Sequence, residues 1–384
     1  MTEVELEITR PAHGGHCVAR LDGRVVFVRH TLPGEVVRTR LTDAKPDARF
    51  WRGEAIEVLQ ASPDRVPSAW PAAGPGGVGG GELAHVALAA QRVWKKNVLT
   101  EQLTRLGGVH LDAEVVAAPG ETERGGLGYR TRIELIADQA GRLGMRQFRS
   151  HNVLPLTDMP LAVPAIDALC LFDQTWSPGQ RIKVVAPSSG PAFVVTPTSQ
   201  MVTEQVHTSY GSWDYEVPAA GFWQVHVAAP AVLVSAVLDA VGDITGRRVW
   251  DLYAGSGLFT LPLADAVGRT GSVTAVESAP TAELAVQKPQ VTRVRARVEQ
   301  WLRSNASHVD VVVLDPPRSG AGAHVINGIA RANPNRIVYV ACDPAALGRD
   351  TKTLGAAGYE LAAVTGYDLF PMTHHVEAVA IFTR

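Results

Sequence analysis

Residues 249–264, VWDLYAGSGLFTLPLA, join an apolar strand to a helix through a glycine turn. The strand ends at Asp251, Gly255 and Gly257 allow a tight reversal, and LFTLPLA opens the helix. Glycines in such a turn let the backbone approach a nucleotide-like ligand, and the helix N–H groups face it. A second run, SVTAVE, ends at Glu277, twenty residues beyond Gly257, the spacing at which a carboxylate holds ribose hydroxyls. The third glycine of a dinucleotide fingerprint is missing. S-adenosylmethionine, which needs no pyrophosphate cradle, fits the turn better.

Downstream, the same rhythm repeats. VVVLDPPRSG at 311–320 places Asp315 at a strand's C-terminal end, before two prolines that restrict the backbone. VYVACDPAALGRD at 338–350 places Cys342 between a strand and a helix, at the same sheet edge. A helix N-terminus and arginines such as Arg318 would favour a thiolate there, whereas most free cysteines are small core residues. In FPMTHHVEAVAIF at 370–382, Glu377 lies in an otherwise apolar final strand. Held among apolar neighbours, its carboxyl would have a raised pKa suited to proton exchange; strand alternation equally allows it to face outward. His374 and His375 point to opposite faces if extended, and no metal site is read from them. Uninterrupted β-branched runs of this kind predict parallel strands buried on both faces, so 221–384 should be a doubly wound, Rossmann-like α/β domain.

Upstream, the pattern is different. Residues 1–62 show short alternating strands broken at Gly14-Gly15, Asp22-Gly23 and Pro33-Gly34, which predicts a small β-barrel. Residues 63–220 form a central region: the Pro/Gly-rich VPSAWPAAGPGGVGGG, a helix over 83–107, then strands such as YRTRIELIAD, GRLGMRQF and RIKVVAP. Gly and Pro punctuate these strands, as expected of an antiparallel sheet.

The whole chain narrows the class. At roughly 100–200 residues per domain, 384 residues make two or three domains. A hydrophobic content of 46% excludes a disordered chain. With 36 basic and 38 acidic residues the net charge is −2, so nucleic acid could be held only by a local patch. Six of the basic residues are lysines and the rest arginines, the better type for phosphate and base contacts. No stretch reaches the ~18 apolar residues of a membrane span, and MTEVELEITR lacks the apolar core of a secretory signal. Cysteines at 17, 170 and 342 make no disulfide framework. A cytoplasmic monomer without membrane contact is expected.

Taken together, the four C-terminal pieces resemble the uracil-C5 RNA methyltransferases, S-adenosylmethionine-dependent enzymes acting on tRNA or rRNA. The resemblance covers essentially the whole chain. Residues 1–62 look like the TRAM domain, an RNA-binding, OB-like barrel, and GFWQVH at 221–226 resembles the Phe-x-Gln-Val-Asn segment that starts the catalytic domain. The resemblance implies that Gln224, Tyr253, Glu277 and Asp315, with the Gly255 and Gly257 turn, contact the cofactor. It implies that Cys342 is the nucleophile and Glu377 the base, and that the substrate is a uridine in structured RNA. An N-terminal TRAM-like module inclines the expectation toward rRNA. The competing expectation is an RNA-binding relative with impaired catalysis.

The sequence also departs from the family pattern. Many members bind an iron–sulfur cluster through four cysteines; the matching positions here are Trp70, Val78, Gly81 and Met159, so no cluster and no other metal are expected. His226 and Asp343 each replace an asparagine, and Leu258 stands where relatives often carry a polar residue. A carboxylate at 343 should raise the thiol pKa of Cys342. Between Glu277 and Val298, Pro280 and Pro289 leave room for only about two helical turns.

Overall fold

The computed structural model describes residues 2–198, 200–279, 288–305 and 307–384. Residues 280–287, and with them the expectation about Pro280, lie outside the described residues.

Strands β1 (Glu3–Ala12), β2 (His16–Leu21), β3 (Arg24–Arg29), β4 (Val36–Asp43) and β5 (Phe50–Gln60) close into a barrel in the order β1-β2-β3-β5-β4. The period-2 pattern explains β4: Val37, Thr39 and Leu41 point inward, and Arg38 and Arg40 outward. Gly53 is required for closure, because a Cβ there would lie 2.4 Å from Thr39 Cγ2. Helix α1 (Leu88–Gln102) covers the barrel by inserting Trp94 and Val98 into its core. Its first turn starts later than the apolar spacing from 83 predicts. Residues 83–86 instead form a turn, with Val86 bridged to Arg65. Past the far end of α1 a π-helical turn, Leu103–Gly107, continues the coil until Gly108 in the left-handed region (φ +72°) ends it.

Strand β6 (Glu114–Ala117) and the short helix α2 (Glu121–Arg124) lead into an antiparallel sheet of β7 (Arg132–Ala137), β8 (Leu143–Arg146), β9 (Val153–Pro155), β10 (Arg181–Val185) and β11 (Phe193–Val194). Helix α3 (Pro164–Asp167) packs Ile166 into the same core. That core holds Trp70, Val78 and Met159, and a Cβ on Gly81 would come within 2.9 Å of the Trp70 ring. Three of the four positions where the resemblance would place cluster cysteines are thus buried apolar side chains. Trp70→Ala should cost about 3–5 kcal/mol, the usual penalty for emptying a buried aromatic site, measurable as a lower denaturant midpoint with an unchanged slope.

A hairpin of β12 (Met201–Thr208) and β13 (Gly211–Pro218) follows. It packs Val206, Trp213 and Tyr215 against helices α4 (Ala229–Val241) and α5 (Thr260–Ala266). The packing therefore runs across residue 220.

The C-terminal region adds β14 (Arg248–Leu252), β15 (Ser272–Glu277), β16 (Val291–Arg295), α6 (Val298–Ser304), β17 (Val311–Leu314), α7 (Gly322–Ala332), β18 (Arg336–Ala341), α8 (Pro344–Ala356), β19 (Glu360–Asp368) and β20 (Glu377–Thr383). The eight-stranded order is β16-β15-β14-β17-β18-β20-β19-β6. Strands β14 to β18 are parallel, β20 is antiparallel, and β6 adds to the edge parallel to β19. Alternation puts Val311 and Val313 against the core of α4 and α5, while Val312 and Leu314 join the core of α6, α7 and α8. Helices on both faces make it doubly wound. The strand order reverses between β14 and β17, so their C-terminal ends border the crevice where such sheets bind ligands.

Candidate active site

At the end of β14, Asp251 is 1% exposed. Its Oδ2 accepts a 2.5 Å hydrogen bond from Thr260 Oγ1, and its Oδ1 has no partner among the described residues. Burial pushes this carboxyl up to about 7, with the Thr260 bond opposing and Glu277 adding to the rise. The chain then reverses through Tyr253 (φ +63°), Gly255 (φ +53°) and Gly257 (φ +82°). A tyrosine in the left-handed region costs about 1–3 kcal/mol and persists where the surroundings hold it.

Glu277 ties this turn to the next strand. Its Oε2 accepts the Gly255 N–H at 3.0 Å, and its Oε1 accepts those of Ser278 and Ala279 at 2.6 Å each. Tyr253, Glu277, Ser278, Arg297, Val298 and Glu299 line a cleft of about 240 Å³. Carboxyl groups around the turn, with an unpartnered buried oxygen on Asp251, suit a cationic sulfonium ligand carrying ribose hydroxyls. Glu277→Ala should therefore weaken S-adenosylmethionine binding about 10- to 100-fold, the value of one or two charge-assisted hydrogen bonds. Isothermal titration with the wild type as reference checks this.

From here carboxyl groups lead to the thiol. Burial, then the charge of Asp251, raises Asp315 to about 7. Glu377 is buried at 6% exposure rather than turned outward. Burial and Asp315 raise its carboxyl well above the usual range, against the pull of Arg318. Cys342, half-buried after β18, is pushed up to about 12 by burial, then Glu377 and Asp315, with Arg318 opposing and Asp343 adding to the rise. The helix N-terminus and Arg318 thus do not make the resting thiol acidic, and Asp343 ranks behind Glu377 and Asp315 as a cause.

Asp343 has a structural task. Its Oδ1 accepts the Ala346 N–H at 2.7 Å and caps α8, and its Oδ2 lies 3.0 Å from His13 Nε2 in the barrel. Although burial works the other way, these bonds, with the charges of His13 and Arg349, hold its carboxyl below the ordinary range. His226, the other replacement, accepts the Ala228 N–H at 3.0 Å and stacks on Tyr129. Leu258 is buried, and its carbonyl accepts the Tyr215 hydroxyl at 2.9 Å.

The charges of Glu277, Asp251, Asp315 and Glu377 act in turn on Asp251, Asp315, Glu377 and Cys342, with Tyr253, Gly255 and Gly257 in the turn that follows Asp251. Among the described residues no side-chain bond ties Gln224, which is half-buried beside Trp223, to that group. His374 and His375 do not point apart: the chain bends, and their rings lie 4.2 Å apart, tilted by 36°. Two further residues shape the site. Asp350 accepts from Tyr339 Oη at 2.8 Å and from the backbone of Ala321 and Gly322, fixing the loop after Arg318. His13 arrives from a separate part of the chain, so no local pattern marks it.

Comparison with known proteins agrees with this architecture. Residues 2–56 match the TRAM domain, and residues 281–384 match the tRNA (Uracil-5-)-methyltransferase family. An uncharacterized RNA methyltransferase of Bifidobacterium longum is 43% identical, over 100% of this chain and 97% of its own. Another, from Streptomyces avermitilis, is 37% identical over 99% and 98%. The crystal structure of Pyrococcus abyssi tRNA (uracil-54, C5)-methyltransferase in complex with S-adenosyl-L-homocysteine shares the fold. Its TM-score is 0.73 at 21% identity, over 98% of this chain and 100% of that one. The chain therefore belongs to the S-adenosylmethionine-dependent RNA methyltransferases of the uracil-5 family and carries a TRAM domain at its N-terminus.

Proposed function

We propose that the protein methylates C5 of a uridine in structured RNA, rRNA before tRNA, through a covalent bond between Cys342 and C6 of the base. The supporting observation is the pairing of one thiol and one buried carboxyl, Cys342 and Glu377, at adjacent strand ends on the sheet edge that also carries the cleft at Tyr253 and Glu277. Bound S-adenosylmethionine supplies an electrophilic methyl group. Glu277 holds its ribose, Asp315 and Gln224 complete its site, and the Tyr253-Gly255-Gly257 turn receives it. Uracil C5 is a poor nucleophile until the Cys342 thiolate adds to C6 and moves electron density onto C5 as an enolate. C5 then takes the methyl group as the bond from that carbon to the sulfonium sulfur breaks, and the neutral thioether S-adenosylhomocysteine leaves. Glu377 removes the remaining C5 proton, the electrons of that bond restore the C5–C6 double bond, and Cys342 leaves as thiolate. The base must leave its stack to reach this crevice, which favours a loop or bulge.

Under this reading residues 1–62 hold RNA, 63–220 contribute substrate contacts, and 221–384 carry out the transfer as a cytoplasmic monomer. No helix among the described residues is long and apolar enough to cross a membrane. An iron–sulfur cluster has no place in the proposal, because Trp70, Val78, Gly81 and Met159 supply no thiolate. Iron analysis of the purified protein should find none in stoichiometric amount.

The pH dependence follows from the site. The resting thiol near 12 and the raised Glu377 carboxyl both reach their reactive, deprotonated forms as pH rises. Methyl transfer should therefore climb across the neutral range, and a flat or falling profile below the unfolding pH would contradict the roles. Mass mapping of modified uridines in RNA from a deletion strain tests the substrate: one missing 5-methyluridine in rRNA supports the reading, and an unchanged map overturns it.

A further inference from the structure

The turn between β1 and β2 reaches across to both catalytic segments. His13 Nε2 lies 3.0 Å from Asp343 Oδ2, next to Cys342 in sequence. Two residues on, Gly15 (φ +77°) packs so closely on His374 that a Cβ would come within 3.1 Å of its Nδ1, three residues before Glu377. Capping of α8 uses only Asp343 Oδ1, so a neutral amide would cap equally well. The second oxygen leaves a negative charge beside a group that must itself become negative. His13, with a side chain 36% exposed, faces that oxygen.

We propose that His13 is a positioning residue for the reaction: its imidazolium pairs with Asp343 and cancels the charge beside Cys342, so that the docked barrel promotes thiolate formation. The inference rests on Cys342 being the nucleophile. Other charges face the same groups. Glu377 of β20, with Asp315 and Arg318 after β17, acts on the thiol, and Arg349 of α8 acts on Asp343. His13 is distinct among them in coming from the barrel.

The test is alkylation of Cys342 by iodoacetamide in the full-length protein, without RNA or S-adenosylmethionine, followed by peptide mass spectrometry across pH. His13→Ala and His13→Gln should each slow alkylation about three- to tenfold near neutral pH, the effect of losing one nearby opposite charge. Asp343→Asn should speed it, and adding His13→Ala to Asp343→Asn should change nothing further. An equal slowing with and without the Asp343 carboxylate would overturn the proposal, as would no slowing in either His13 variant. Cys17, buried in the barrel core, reports folding by staying unmodified. If His13→Ala exposes it, the near-isosteric His13→Gln decides. Because alkylation needs no substrate, failure here is distinguishable from failure of the methylation reading, which would show as absent 5-methyluridine.

Discussion

Cys342→Ala is expected to abolish methyl transfer, by at least about a thousandfold, and to abolish the covalent RNA complex with it. The reason is electronic. No other group at the end of β18 can add to C6, and without that addition C5 carries too little electron density to displace a methyl group from sulfur. Cys17 offers no substitute, since it is buried inside the barrel, and Cys170 lies in the central region, outside the crevice. Binding should survive, because neither Glu277 nor the glycine turn is touched. Transfer of labelled methyl to RNA and a titration with S-adenosylmethionine separate the two properties. Normal turnover in this variant would remove the covalent route altogether.

Glu377→Gln is expected to separate the steps. Addition and methylation remain open to Cys342, but the C5 proton loses its acceptor, so turnover should fall about a hundredfold or more while the RNA–protein species accumulates. It should appear as a band resistant to denaturant and dependent on S-adenosylmethionine. The amide also removes the charge that ranks just behind burial in raising the Cys342 thiol. Adduct formation should therefore be at least as fast as in the wild type. Equal loss of adduct in the Cys342 and Glu377 variants would contradict the base assignment.

Much of this architecture was legible in the sequence because it is local. The parallel strands announce themselves as β-branched runs, and each ends at or next to a residue of the candidate site: Asp251, Glu277, Asp315 or Cys342. Alternation in VVRTRLT gives the barrel strand β4. What the pattern left out depends on distant contacts. The hairpin β12–β13 reads as one more stretch of turn-broken β sequence, and only the packing of Trp213 and Tyr215 shows that it belongs with α4 and α5. Strand β6 is four residues long and takes its place from β19, about 250 positions later. The charge state of Cys342 depends on distant groups for a similar reason. Its sequence neighbours are a helix start and Asp343, whereas its spatial neighbours include Glu377 and Asp315. His13 meets Asp343 across 330 residues, beyond the reach of any spacing rule.

The most direct test of the central claim uses RNA in which 5-fluorouridine replaces uridine, incubated with wild-type protein and S-adenosylmethionine. Fluorine at C5 leaves no proton for Glu377 to remove, so the reaction should stop after methyl transfer with the base still bonded to the enzyme. Peptide mass spectrometry should then find one methylated fluorouridine attached to Cys342. An attachment at another residue would contradict the account, as would no attachment by a preparation that methylates ordinary RNA.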